Sequence, residues 1–188
     1  MKTIVIALCL LFVSAPSFAD DVKMPVKLDA PDFSGVLADA GKVFLGGQPS
    51  EDALKRLAAE GVSTIINFRT PAEMANRQRV PFDEAEVAKS LGITYIQIPL
   101  GGKDYPFKPS AVAAFAEALK KAKGKPLVHC GSAYRASHMW SAYLAKYEGM
   151  DINEAIAHGR AANMGTQAVE ELLGGNVTYK LETETEKN

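Results

Sequence analysis

Cys130 and Arg135, with only Gly131, Ser132, Ala133 and Tyr134 between them, stand where an apolar stretch meets a helix-forming run in PLVHCGSAYRASHMW, residues 126–140. A thiol on a turn that feeds a helix faces the first N–H groups of that helix, whose partial positive charge favours the thiolate. A guanidinium at the helix start is unfavourable there unless it meets an anion. Together they describe a small oxyanion site with a sulfur nucleophile beneath it. His129 precedes the cysteine on an alternating strand, so its ring points away from the thiol and serves to order the loop by hydrogen bonding.

The chain has 188 residues, two cysteines and a formal net charge of −1. Lys2, an apolar run over residues 4–13, and Ser17-Phe18-Ala19 read as a secretory signal with cleavage after Ala19. Cleavage would remove Cys9 and one Lys, leaving a net charge of −2 and a lone thiol, Cys130, in a periplasmic or secreted protein. A lone cysteine forms no internal disulfide, and in an oxidising compartment it is a liability unless it does chemistry. The apolar run is shorter than the roughly 20 residues a membrane span needs. Balanced charge argues against a nucleic-acid partner. Three histidines without HxH or HExxH spacing argue against a metal, and the lack of a phosphate-loop or dinucleotide glycine pattern implies no cofactor. Oligomeric state is open.

The elements that must position these groups alternate strand and helix. Residues 20–41 read as a lead-in without sustained period, 42–175 as one domain and 176–188 as a charged flexible tail. Within the domain, strands are expected at 42–45, 62–68, 93–100 and 126–129, and helices at 50–60, 83–91, 110–123, 136–147 and from 151 onward. That order predicts an α/β fold with three layers: a central, mostly parallel sheet of four to five strands flanked by helices. In an open parallel sheet, ligands bind past the carboxyl ends of the strands, where Arg69, Asp104 and Cys130 all fall.

His-Cys, a short loop, Arg and a helix resemble the signature of the protein tyrosine and dual-specificity phosphatase superfamily. Residues 43–74, VFLGGQPSEDALKRLAAEGVSTIINFRTPAEM, are similar to the opening of the bacterial beta-lactamase hydrolase-like, phosphatase-like proteins, with a Gly-Gln-Pro turn and an Ile-Asn-x-Arg strand end. The likeness spans about residues 42–160 and implies a phosphatase-like fold. Two positions depart from it. The phosphatase signature has five residues between Cys and Arg, and a four-residue loop is found in the bacterial phosphatase-like family and, in the rhodanese superfamily, accompanies sulfur transfer. Ala133 stands where glycine is favoured, so Gly131 is expected to supply the backbone freedom.

By that resemblance, Cys130 attacks phosphorus and forms a phosphocysteine, the N–H groups of Gly131, Ser132, Ala133, Tyr134 and Arg135 hold the oxygens, and Arg135 grips two of them. Asp104, in a Gly/Pro-rich loop, is the candidate general acid. Ser137 or Ser132 would donate to the thiolate. Arg69 either helps bind the anion or pairs with Glu73 behind it. The substrate would be a phosphorylated small molecule or phosphoprotein. Two alternatives stand beside this: a sulfurtransferase carrying a persulfide on Cys130, and a non-catalytic phosphate- or sulfate-binding module.

Overall fold

In the computed structural model, which describes residues 22–165, 169–175 and 177–178, six strands form one mixed sheet. They are β1 (Val26–Leu28), β2 (Phe33–Asp39), β3 (Phe44–Pro49), β4 (Thr64–Asn67), β5 (Thr94–Gln97) and β6 (Leu127–His129), in the order β1-β2-β3-β6-β4-β5. The four strands from β3 to β5 are parallel. Each of these returns through at least one helix, as parallel pairing demands. The signal expected at 1–19 and, apart from Val177 and Thr178, the tail expected at 176–188 lie outside the described residues.

The lead-in expected over 20–41 is instead sheet for much of its length: β1 and β2 form an antiparallel pair that extends β3. Pro25 and Pro31 obscure this in the sequence, yet they lie outside the strands, one just before β1 and one in the turn. An irregularity between Ser34 and Leu37 further breaks the alternation of β2.

Among the described residues there are seven helices, α1 (Glu51–Ala59), α2 (Pro71–Ala75), α3 (Glu84–Ser90), α4 (Pro109–Lys121), α5 (Tyr134–Tyr147), α6 (Ile152–Ala162) and α7 (Glu170–Leu173), and all but the short α2, which buries no residue, cover the sheet. Strand alternation divides the core in two. Leu45, Ile66 and Val128 pack with Phe115 of α4 and Trp140 of α5, whereas Leu37, Ile65 and Leu127 pack with Leu54 and Leu57 of α1 and Ala88 of α3. The layers are therefore α1 and α3 on one face, and α4 to α7 on the other. Caps set the helix starts: Ser50 accepts from Ala53 N at 3.1 Å, and Thr70 and Glu73 close a capping box that begins α2.

Candidate active site

β3, β4 and β6 end together, and their last hydrogen bonds place the cysteine. Cys130 N donates to Gly46 O at 3.1 Å, Phe68 N to His129 O at 2.9 Å, and Gln48 N to Gly131 O at 3.2 Å. Cys130 is thus held between two neighbouring strands at the middle of the sheet, with 1% of its surface exposed. The chain then turns into α5 through Ala133, whose φ of 71° makes it the one non-glycine residue with positive φ among those described. The freedom expected of Gly131 is therefore exercised by Ala133, at roughly 1–2 kcal/mol. Ala133 has no side-chain acceptor, so the first N–H groups of α5 receive no cap from it. A Cβ on Gly131 would stand 4.0 Å from Arg135 Nη2, an ordinary contact, so space does not dictate glycine there.

The N-terminal strands wall this turn. A Cβ on Gly47 would collide with Ser34 O, so close backbone approach dictates that glycine, whereas Gly35, at φ 92°, is required by its left-handed backbone, with Ser132 Cα 3.1 Å from where a Cβ would stand. Ser132 bridges Gly47, and its carbonyl accepts from Asn163 Nδ2 at 2.6 Å. Asn163 also donates its backbone N–H to Ser137 Oγ. The donor role expected of Ser137 toward the thiolate is taken elsewhere: its hydroxyl donates to Ala133 O at 2.8 Å, as first-turn serines facing their own backbone do. Ser132 is exposed and Tyr134 half-buried, the latter tilted over His138 with ring centroids 4.4 Å apart.

Arg135 reaches back across the site. Nη1 donates to Glu73 Oε2 at 2.8 Å, Leu100 O at 2.6 Å and Phe68 O at 3.3 Å, and Nη2 donates to Glu73 Oε1 at 2.7 Å. A guanidinium has five N–H donors. These contacts use both on Nη1 and one on Nη2; the guanidinium also hydrogen-bonds Cys130, so guanidinium and thiol face one another across the turn. Burial works against the charge of Arg135, but its hydrogen bonds to Glu73 and Cys130 and the charges of both outweigh it and raise its pKa. Burial likewise pushes the Glu73 carboxyl upward, yet the hydrogen bond from Arg135, with that from Thr70 N, holds it at about 2.

Behind the turn lies a set of enclosed polar side chains. Arg69, 3% exposed, is not placed to bind an anion: Nη1 donates to Gln48 Oε1 at 2.7 Å, and Nε lies 3.7 Å from Glu73 Oε1. Of the two roles its spacing allowed, it takes the supporting one. His129, fully buried, orders the loop through Nδ1, 3.3 Å from Cys130 O, and sets Nε2 2.7 Å from Glu84 Oε1. Glu84 Oε2 accepts from Gln48 Nε2 in a short contact. Sequence reasoning missed Glu84, Gln48 and Asn163. Only Gln48 carried a signal, as the middle of the Gly-Gln-Pro turn.

Asp104 is exposed in the loop between β5 and α4, in a turn closed by Gly101 N donating to Tyr105 O at 2.6 Å. The start of that loop is fixed to the site, because the Leu100 carbonyl accepts from Arg135. Among the described residues no group of His, Cys, Asp and Glu could hold a metal ion, and no helix is long and apolar enough to cross a membrane.

Comparison with known proteins bears on this geometry. The family model described as "DSP-PTPase phosphatase fused to NAD+ Kinase" matches residues 22–173. A beta-lactamase hydrolase-like protein of Xylella fastidiosa is 29% identical over 128 residues, which is 66% of this chain but 28% of the relative. Among solved structures, PTPMT1 in complex with PI(5)P superposes with a TM-score of 0.59 at 18% identity over 71% of this chain and 88% of that one. Tk-PTP in its active form does so with 0.56 at 18% over 78% and 96%. At such identity these two likenesses are of fold.

Proposed function

The chain belongs to the DSP-PTPase phosphatase family whose model it matches, and on that premise we propose that it is a cysteine-dependent phosphatase hydrolysing phosphate monoesters through a phosphocysteine intermediate. The observation that carries this reading is the turn from Cys130 to Arg135, which sets the guanidinium, held by Glu73, against the thiol at the start of α5. Cys130 attacks phosphorus in line. The N–H groups of residues 131–135 and the Arg135 guanidinium take up the equatorial oxygens, whose charge grows in the transition state. Asp104 protonates the leaving oxygen when its loop closes on substrate, and in the second step the same carboxylate takes a proton from water. The substrate is a phosphorylated small molecule or phosphoprotein. Residues 1–19 direct the protein out of the cytoplasm and are removed after Ala19, which N-terminal sequencing of the mature chain checks.

The test is hydrolysis of p-nitrophenyl phosphate from about pH 4.5 to 8. Turnover lost in Cys130→Ser, with the basic limb lost in Asp104→Asn, supports the mechanism. Turnover no greater than that of the Cys130→Ser blank overturns it, and thiosulfate is then the substrate to try.

A further inference from the structure

We propose that Glu84 is a positioning residue for the nucleophile: by clasping His129 and Gln48 at once, its carboxylate fixes the thiol end and the guanidinium end of the Cys130–Arg135 turn relative to one another. The assignment rests on the phosphatase reading for its purpose and on a continuous set of contacts for its mechanism.

From Glu84 one path leads to the nucleophile. Oε1 lies 2.7 Å from His129 Nε2, and the other ring nitrogen lies 3.3 Å from Cys130 O. A carbonyl only accepts, so Nδ1 carries a proton. With both nitrogens in contact, the ring cannot rotate without losing a partner at each end. Because His129 points away from the thiol, this path acts on Cys130 through its backbone.

The second path leads to the guanidinium. Glu84 Oε2 accepts from Gln48 Nε2, Gln48 Oε1 accepts from Arg69 Nη1 at 2.7 Å, Arg69 meets Glu73, and Glu73 holds Arg135 by both oxygens. The Gln48 amide has one workable orientation, since a carboxylate needs a donor and a guanidinium needs an acceptor. Each link joins donor to acceptor except that between the Arg69 and Glu73 side chains, an ion pair at 3.7 Å without a hydrogen bond, beside which Arg69 Nη2 donates to the Glu73 carbonyl at 3.4 Å. Glu84, Gln48, Arg69 and His129 are all buried, where an unpaired polar group is costly, so the links hold as a unit.

Glu84 touches neither Cys130 nor Arg135. It begins α3, in the helical layer opposite α5, and in the sequence it looks like an ordinary acidic first-turn residue. The groups facing it from neighbouring elements are His129 and Gln48 in contact, then Tyr95 of β5, whose hydroxyl pKa is raised by burial and by the Glu84 charge. Asp83 and Arg69 also act on Tyr95.

Glu84→Gln and Gln48→Leu, made singly and together, test the assignment with two readouts that need no turnover. These are the rate at which iodoacetamide alkylates Cys130 at pH 7 and the concentration of inorganic phosphate that half-protects it. Each single change should slow alkylation and weaken protection about threefold to tenfold, with the double variant no worse than the worse single, because coupled residues are non-additive. Independent losses that multiply, or single variants that melt cooperatively and react like the wild type, would overturn it. Should a variant not fold, imidazole 15N shifts of the unaltered protein decide: Nδ1 protonated from pH 5 to 8 supports the assignment and a bare Nδ1 sinks it. Wild type that phosphate fails to protect, or that lacks turnover, counts against the phosphatase reading, and alkylation alone then judges Glu84.

Discussion

The two flanks of the cysteine turn are built differently. On the β3–β4 side, Gln48, Arg69, Glu84 and His129 are buried and bonded to one another, and they support Glu73 and Arg135. On the β5–α4 side, Asp104 lies exposed in a loop anchored on either side of it, by Leu100, whose carbonyl accepts from Arg135 and whose N–H donates to Phe68 O, and by Phe107 against the core, with the Gly101–Tyr105 bridge between. An oxyanion cradle must be in place before substrate arrives, because reorganisation during reaction would raise the barrier. A proton donor has only to arrive with the leaving group, so it can sit on a loop. The fold spends its buried polar contacts where pre-organisation counts.

The sharpest way to break this contrast is Arg135→Lys, which keeps the charge but loses the fork. A drop in kcat/KM of roughly 10²–10³-fold is expected, the scale of a lost oxyanion donor, and steady-state kinetics with p-nitrophenyl phosphate measure it. Asp104→Asn should lower kcat by about 10²-fold or somewhat more while leaving the melting temperature alone, since the side chain is exposed; a shift of several degrees would show that the side chain is structural after all. Glu73→Gln should destabilise at neutral pH. The Glu73 carboxyl lies near 2 when folded, against an ordinary 4.5. A depressed carboxylate stabilises above its unfolded pKa, so the deficit of the variant should close as pH falls from about 4.5 through 2. Melting curves across that range give the answer. Smallest is Ala133→Gly: relief of left-handed strain of about 1–2 kcal/mol is set against the roughly 0.5–1 kcal/mol entropy cost of glycine. Denaturant unfolding should find the variant no less stable than wild type and more stable by at most about 1.5 kcal/mol.

What could be read from the sequence followed from local pattern. The four parallel strands announce themselves as short apolar runs, and Cys130 and Arg135 declare their chemistry by type and spacing, because helix onset and nucleophile share one continuous segment. β1 and β2 stayed hidden, since prolines beside the strands and an irregularity within one blur the period. Glu84 is legible only in three dimensions, for an acidic first-turn residue is commonplace until His129 and Gln48 are brought against it. Ser137 shows the converse: its position suggested service to the thiolate, and a backbone carbonyl within reach claimed the hydroxyl first. The short helix α2 is not among the expected elements either, although Thr70-Pro71-Ala72-Glu73 spells the capping box that starts it.

Asn163 gives the molecule a timetable. The carbonyl of Ser132, beside the nucleophile, is held by an amide made roughly thirty residues after Cys130, a few seconds later at about 5–20 residues per second. During that interval a growing chain already possesses its thiol but not the side chain that pins the neighbouring peptide. Until α6 is complete and Asn163 is in place, the peptide beside the nucleophile lacks the amide that holds it.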